Sequence, residues 1–228
     1  MPFSCDAIIF DLDGVLVDSA SAIISHWQSW ADSHGLSLER IMRVAHGLRT
    51  VDTIRRVAPN LDAEKEAAAF EAMEASDATG LVAYRGAASL LETIPSASWA
   101  IATSGTRELA SARLKHTGLP MPQIMITSDD VQNGKPDPEA YLLAASRMML
   151  PAERCLVVED SPAGLRAARA AGMTAIAVAT THPSAELGDA HAIVGGVWDI
   201  RVSVESGEAT RDAGRGAIQV HTSTLPKA

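Results

Sequence analysis

The stretch AIIFDLDGVLVDS, residues 7–19, runs four apolar residues straight into Asp11 and Asp13 and reaches a third acid at Asp18. A short apolar run with no alternation fits a strand covered on both faces, as in a parallel sheet. Burying unpaired carboxylates is costly. In open α/β sheets, however, ligands gather at the carboxyl ends of the strands, which is where these acids would stand. Asp11 and Asp13 alternate about Leu12, so extended backbone would give their side chains one direction, and Gly14 permits a tight approach of backbone. Two carboxylates placed together repel unless a cation lies between them. A hard divalent cation such as Mg²⁺ suits an all-oxygen set, and a carboxylate can also act as a covalent nucleophile. Taken alone, the two acids fit a solvated turn equally well. A calcium loop fits less well, because Gly14 comes too early and a strand-like run precedes it.

Strand-like runs recur downstream at 99–103 (WAIAT), 123–127 (QIMIT), 155–160 (CLVVED) and 175–179 (AIAVA). Between them the spacing predicts helices. Residues 107–117 place Leu109, Ala112 and Leu114 on one face and stop before Gly118. Residues 138–148 begin with Pro138, and residues 161–171 begin with Ser161-Pro162, a cap and first-turn pair. The alternation predicts a doubly wound α/β fold with a parallel sheet. Residues 18–83 break that rhythm. They hold no strand run and read as helices interrupted at Gly35, Gly47, Pro59 and Gly80. They predict an inserted helical cap, so the core would comprise 1–17 and 84–228. IRVSV and AIQVH flank a Gly-rich stretch, which predicts a C-terminal hairpin over 201–222, with an unstructured tail as the alternative.

Composition narrows the function. The chain has 228 residues, 47% of them hydrophobic, enough for one core of ordinary size plus an insertion. It shows neither a membrane-length apolar run nor a basic-then-apolar leader, so no membrane partner and a cytoplasmic location are expected. Cys5 and Cys155 each adjoin an apolar run and read as reduced core residues. The net charge of −9 argues against nucleic acid but leaves room for a small anion held by a few local cations.

Other strand ends carry complementary chemistry. Run 99–103 ends in Thr103-Ser104-Gly105, a hydroxyl followed by a turn able to aim N–H groups at an anion. Lys135 sits in a turn made by Gly134 and Pro136, and run 155–158 ends in Glu159-Asp160-Ser161. Each element alone has a plain reading: Thr103 or Asp160 a cap, Lys135 a surface cation. Together they describe one site for a metal and a phosphate.

The ordered set DLDGV (11–15), ATSGT (102–106), GKPDPE (134–139) and VVEDSPAG (157–164) resembles the four signatures of the haloacid-dehalogenase superfamily over nearly the whole chain. HGLRTVDTIRRVAP (46–59), WAIATSGTRELA (99–110) and AVATT (177–181) are similar to glycerol-phosphate, 2-deoxyglucose-6-phosphate and broad-range sugar phosphatases. The resemblance implies a Rossmann-like core with a helical cap and a small phosphate ester as the partner. By position it makes Asp11 the nucleophile that forms an aspartyl-phosphate, and Asp13 the acid and then base. It assigns Mg²⁺ to Asp11, the Asp13 carbonyl and Asp160, with Glu159 bonded directly or through water. Thr103, Lys135 and the amides around Ser104 and Gly105 would hold the phosphoryl oxygens. The dehalogenase pattern lacks the second Asp. The β-phosphoglucomutase pattern carries a cap-entry histidine where this chain has Ile23, which favours hydrolysis over phosphoryl return. A non-catalytic phosphate-binding module is the alternative from another class. In the cap, His46 and Arg49 are candidates for the substrate's other end, and Arg49 beside Asp52 reads equally as an ion pair. The preferred ester and the oligomeric state are not legible.

Overall fold

The computed structural model describes residues 2–204 and 217–225. In chain order the strands are β1 (Phe3–Cys5), β2 (Ala7–Phe10), β3 (Val17–Asp18), β4 (Val82–Ala83), β5 (Trp99–Ala102), β6 (Met125–Ile126), β7 (Cys155–Glu159), β8 (Thr174–Val178), β9 (Ala192–Val194), β10 (Ile200–Val204) and β11 (Ile218–Thr222). The helices are α1 (Ala20–His34), α2 (Leu38–Ala45), α3 (Thr50–Val57), α4 (Ala63–Ser76), α5 (Ala87–Thr93), α6 (Arg107–Thr117), α7 (Glu139–Arg147) and α8 (Pro162–Ala170).

Six strands form a parallel sheet in the order β6-β5-β2-β7-β8-β9. Numbered within the sheet this is 3-2-1-4-5-6, the doubly wound order whose direction reverses beside the first strand. That reversal falls between β2 and β7, so the crevice opens directly after Phe10 and Glu159. The period of two along β2 explains why it takes four apolar residues in succession. Ile8 and Phe10 pack on one face with α5 and α6, and Ala7 and Ile9 on the other with α7 and α8. All four are fully buried. Two of the connecting helices are fixed by local chemistry. Thr106 and Ser161 cap α6 and α8 by accepting from the amides of Leu109 and Gly164.

Between β3 and β4, which pair with each other, lie α1 to α4. These helices have an apolar cluster of their own, built on Trp27, Trp30, Ile41, Ile54 and Phe70. Trp27 lies against Phe70 with ring centroids 4.2 Å apart, and both tryptophans belong to this cluster. β10 pairs antiparallel with β11, and β11 with β1, placing Ile200, Ile218 and Val220 over the same core face as Phe10. Residues 205–216 of the expected C-terminal hairpin lie outside the described part of the chain.

Two sequence expectations shift. Run 123–127 contributes only Met125–Ile126 as strand. On α6 the buried face is Leu109, Ala110, Arg113 and Leu114, so Arg113 takes the inward place given to Ala112. Among the described residues no helix is long and apolar enough to cross a membrane.

Candidate active site

β2 ends and the chain turns at Gly14, whose φ of +79° is unfavourable for any residue with a side chain. A Cβ there would lie 2.2 Å from an Asp160 carboxylate oxygen, so the first loop and the end of β7 touch only because this residue is glycine. The contact brings Asp11 and Asp160 together. Asp11, Glu159 and Asp160 each offer an oxygen within 4.8 Å of the others, and all three are buried.

Lys135 enters from the loop before α7. Its ammonium donates to Asp11 Oδ1 at 2.5 Å and to Glu159 Oε1 at 2.7 Å. Tyr141 donates to Glu159 Oε1 at 3.1 Å. The other Glu159 oxygen accepts from the amides of Asp160 and Ser161 at 2.6 and 2.7 Å and from the Ser161 hydroxyl at 3.0 Å. Five donors therefore meet one carboxylate, which saturates its acceptor sites. Gly164 makes room for this: a Cβ there would fall 1.6 Å from Glu159 Oε1.

One ammonium serves three buried carboxylates, and the proton affinities reflect it. Burial and the nearby Glu159 push Asp11 up to about 7, although Lys135 pulls the other way. Burial, with Glu159 and Asp11 as neighbours, drives Asp160 well above the carboxylate range. Burial alone would strip the proton from Lys135, but Asp11 and Glu159 outweigh it and hold the ammonium charged. For Glu159 burial is outweighed by Lys135 and the surrounding hydrogen bonds, so its pKa falls. The cluster thus carries two uncompensated negative charges when ionised. It fits a divalent cation with hard oxygen ligands.

Asp13 faces the same crevice. Its Oδ1 accepts from Ser19 at 2.7 Å and its Oδ2 from Arg113 Nη1. Arg113 is buried and also donates to Glu74 of α4 at 3.2 Å, so it joins the core acid to the cap. Thr103, at the end of β5, is buried, and its hydroxyl accepts from the Gly105 amide at 3.2 Å. The Ser104 hydroxyl donates to the Gly47 carbonyl in the cap at 2.9 Å. Asp11, Asp13, Thr103, Ser104, Gly105 and Asp160 line one cavity of about 130 Å³, to which α1 to α4 contribute the opposite wall.

The two cap candidates part company. His46 lines the cavity, its ring set edge-on to His182 with centroids 4.9 Å apart. Burial and the neighbouring His182 lower its pKa. Arg49 is outside that lining. It donates to both Asp52 oxygens at 2.7 and 3.2 Å and to the Gln132 carbonyl at 2.9 Å, fastening the cap to the loop that carries Lys135. Sequence reasoning missed Ser19, Glu74, Arg113 and Tyr141. For Arg113 a signal existed: it stands four residues after Leu109, a charged side chain inside the apolar stripe of α6.

Residues 8–178 match the haloacid dehalogenase-like hydrolase family. The chain belongs to that family. It is 41% identical over 179 residues to hexitol phosphatase A of Escherichia coli, covering 76% of this chain and 83% of the relative. It is 35% identical over 188 residues to glycerol-1-phosphate phosphohydrolase 2 of Saccharomyces cerevisiae, covering 77% and 75%. The crystal structure of a hydrolase from Pseudomonas syringae superposes with a TM-score of 0.74 at 31% identity, covering 85% of this chain and 94% of that one. This haloacid dehalogenase-like chain is therefore a hydrolase built on a doubly wound parallel sheet, with its acids at the sheet's switch point.

Proposed function

We propose that the protein is a Mg²⁺-dependent phosphatase for polyol or sugar phosphate monoesters. The observation that carries this reading is Asp11 itself. It is a buried carboxylate at the end of the central strand, bonded to an ammonium and opening with Asp13 into a cavity walled by the cap. The names of the relatives, a hexitol phosphatase and a glycerol-1-phosphate phosphohydrolase, point to the same substrate class.

In this reading an Asp11 oxygen attacks phosphorus as the phosphorus–alkoxide bond breaks. Asp13 gives its proton to the departing oxygen. It then takes a proton from the water that cleaves the aspartyl-phosphate, and inorganic phosphate leaves. Arg113 and Ser19 hold Asp13 in place for both transfers. Thr103, the amides near Ser104 and Gly105, and Lys135 offer donors to the phosphoryl oxygens, whose charge is spread in the transition state. Asp11, the Asp13 carbonyl and Asp160 would hold the metal, which supplies positive charge to those oxygens when bound. Glu159 accepts from Lys135 and from the Asp160 amide, so it orients both, and it would support the metal directly or through water.

Two experiments test this. Chelation with EDTA is expected to abolish phosphate release from a panel of polyol and sugar phosphates, and added Mg²⁺ to restore it. Full activity after exhaustive chelation would remove the metal from the mechanism. Arg49→Ala is expected to lower kcat/KM by about three- to tenfold, as for one or two hydrogen bonds near 1 kcal/mol. The loss should be the same for a polyol phosphate and for p-nitrophenyl phosphate, because Arg49 secures the cap and touches no substrate. A loss confined to the polyol ester would return Arg49 to the substrate.

A further inference from the structure

We propose that Glu74 is a specificity-determining residue: together with Thr53 it makes the cap end of the cavity accept uncharged, hydroxylated leaving groups and reject those bearing a second anion. The inference rests on the phosphatase reading and names what that site selects.

Three observations carry it. The first is charge. Of the four carboxylates in the cavity lining, Asp11, Asp13 and Asp160 stand at the metal and phosphate end, and Glu74 is the one contributed by the cap, bonded there to the guanidinium of Arg113. Arg113 is already shared between Asp13 and Glu74. Arg49, the cation nearest in sequence to the cap wall, is turned away and bound by Asp52 and Gln132. Burial and the neighbouring His182 lower the pKa of His46 and so disfavour its cationic form. A carboxylate or second phosphate on the leaving group would thus meet Glu74, with only the buried Nε of Arg113 unpartnered beside it.

The second is an unmet hydrogen bond. Thr53 is 1% exposed and lines the cavity, yet its hydroxyl has no protein partner. A buried polar atom without a partner is costly, and a substrate hydroxyl would satisfy it. The third is the surrounding wall. Trp27, Phe70, Ile23 and Met42 line the same end, an apolar surface suited to a carbon chain whose polar groups are neutral. A site of this kind discriminates most strongly against analogues that leave its buried polar groups unpaired or opposed. The arginines of the neighbouring groove, Arg43, Arg56 and Arg166, share a wall with the cavity through His46 and Thr181. They would serve only esters long enough to leave the cavity.

The test compares substrates of equal length that differ in one terminus. Glycerol 3-phosphate is paired with 3-phosphoglycerate, and sorbitol 6-phosphate with 6-phosphogluconate, each rate referred to p-nitrophenyl phosphate. The wild-type enzyme is expected to favour the polyol ester by roughly a hundredfold in kcat/KM, the size of a charge–charge repulsion across about 6 Å at an effective dielectric near 20. Glu74→Gln should shrink that preference at least tenfold, and Glu74→Asp, which keeps the charge, should retain it. Thr53→Val should lower the polyol rate by about tenfold relative to p-nitrophenyl phosphate. If Glu74 only braced Arg113, its replacement would slow both members of each pair together and leave the ratio unchanged, which would overturn the proposal. A wild-type ratio within threefold of unity would overturn it without any variant. Failure to hydrolyse any ester, p-nitrophenyl phosphate included, would instead bring down the phosphatase reading and this inference with it.

Discussion

Asp11→Asn is expected to reduce phosphate release by at least about a thousandfold while the protein stays folded, in keeping with the loss of a covalent nucleophile. Asparagine keeps the shape and still accepts from Lys135 through its carbonyl oxygen, so the 2.5 Å contact has a replacement. What is lost, in the proposed mechanism, is the nucleophilic oxygen. Stability should move the other way. Burial pushes the Asp11 carboxyl up to about 7, well above the usual carboxylate range, so the native state binds its proton more tightly than the unfolded chain. Such a group stabilises the fold at low pH and withdraws that contribution as pH rises through the folded pKa. Asparagine never ionises. In metal-free protein, the variant should therefore melt at or above the wild-type temperature at pH 8, with the difference closing near pH 4. Turnover within tenfold of wild type would move the nucleophile elsewhere. A collapsed melting temperature would make Asp11 chiefly a partner for Lys135.

The same residue shows how much could be read in advance. Four unbroken apolar residues before Asp11 announce a doubly covered strand, and the sheet has β2 at its centre. The order of strands and helices was legible because each element carries its own period and its own cap, as Thr106 and Ser161 do. Asp11, Lys135, Glu159 and Asp160 were legible because each follows a strand or sits in a tight turn, where topology alone gathers side chains at one edge. The cap side was not. Its wall depends on which face of α3 and α4 turns inward, and Ala-rich α4 has almost no amphipathic contrast to show it. Nothing local marks Glu74 as the partner of Arg113, 39 residues away. Arg49 stayed between two readings for a related reason: substrate, its neighbour Asp52 and the distant Gln132 carbonyl could each take it, and only the tertiary fold shows the last two doing so. Strands as short as β3 and β4 escape because two residues have no period.

The largest stability effect should come from Lys135→Met. Methionine has similar length and packs well, so the change isolates the charge. Removing one member of a buried ion pair typically costs about 3–5 kcal/mol, because the remaining charge stays buried without compensation. At roughly 2–4 °C per kcal/mol for a chain of this size, the melting temperature at pH 7.5 should fall by about 6–20 °C. The loss should depend on pH in a definite direction. Without the ammonium, Asp11 and Glu159 face each other across the space it filled, and both must hold protons more tightly than in the unfolded chain. Their contribution is then favourable at low pH and lost as pH rises, so the deficit should narrow near pH 4.5. The double variant Asp11→Asn, Lys135→Met separates this account from simple loss of packing. If charge is the cause, removing the Asp11 carboxylate as well should recover several degrees over Lys135→Met alone, a non-additive result expected of groups in direct contact. If packing is the cause, the two losses should add. In the proposed mechanism Lys135→Met also removes one fixed donor to the phosphoryl oxygens, so phosphate release should fall by about a hundredfold or more at every pH. A variant that regains stability at pH 4.5 but not activity would assign Lys135 both tasks: it neutralises the acids in the resting site and neutralises phosphate in the working one.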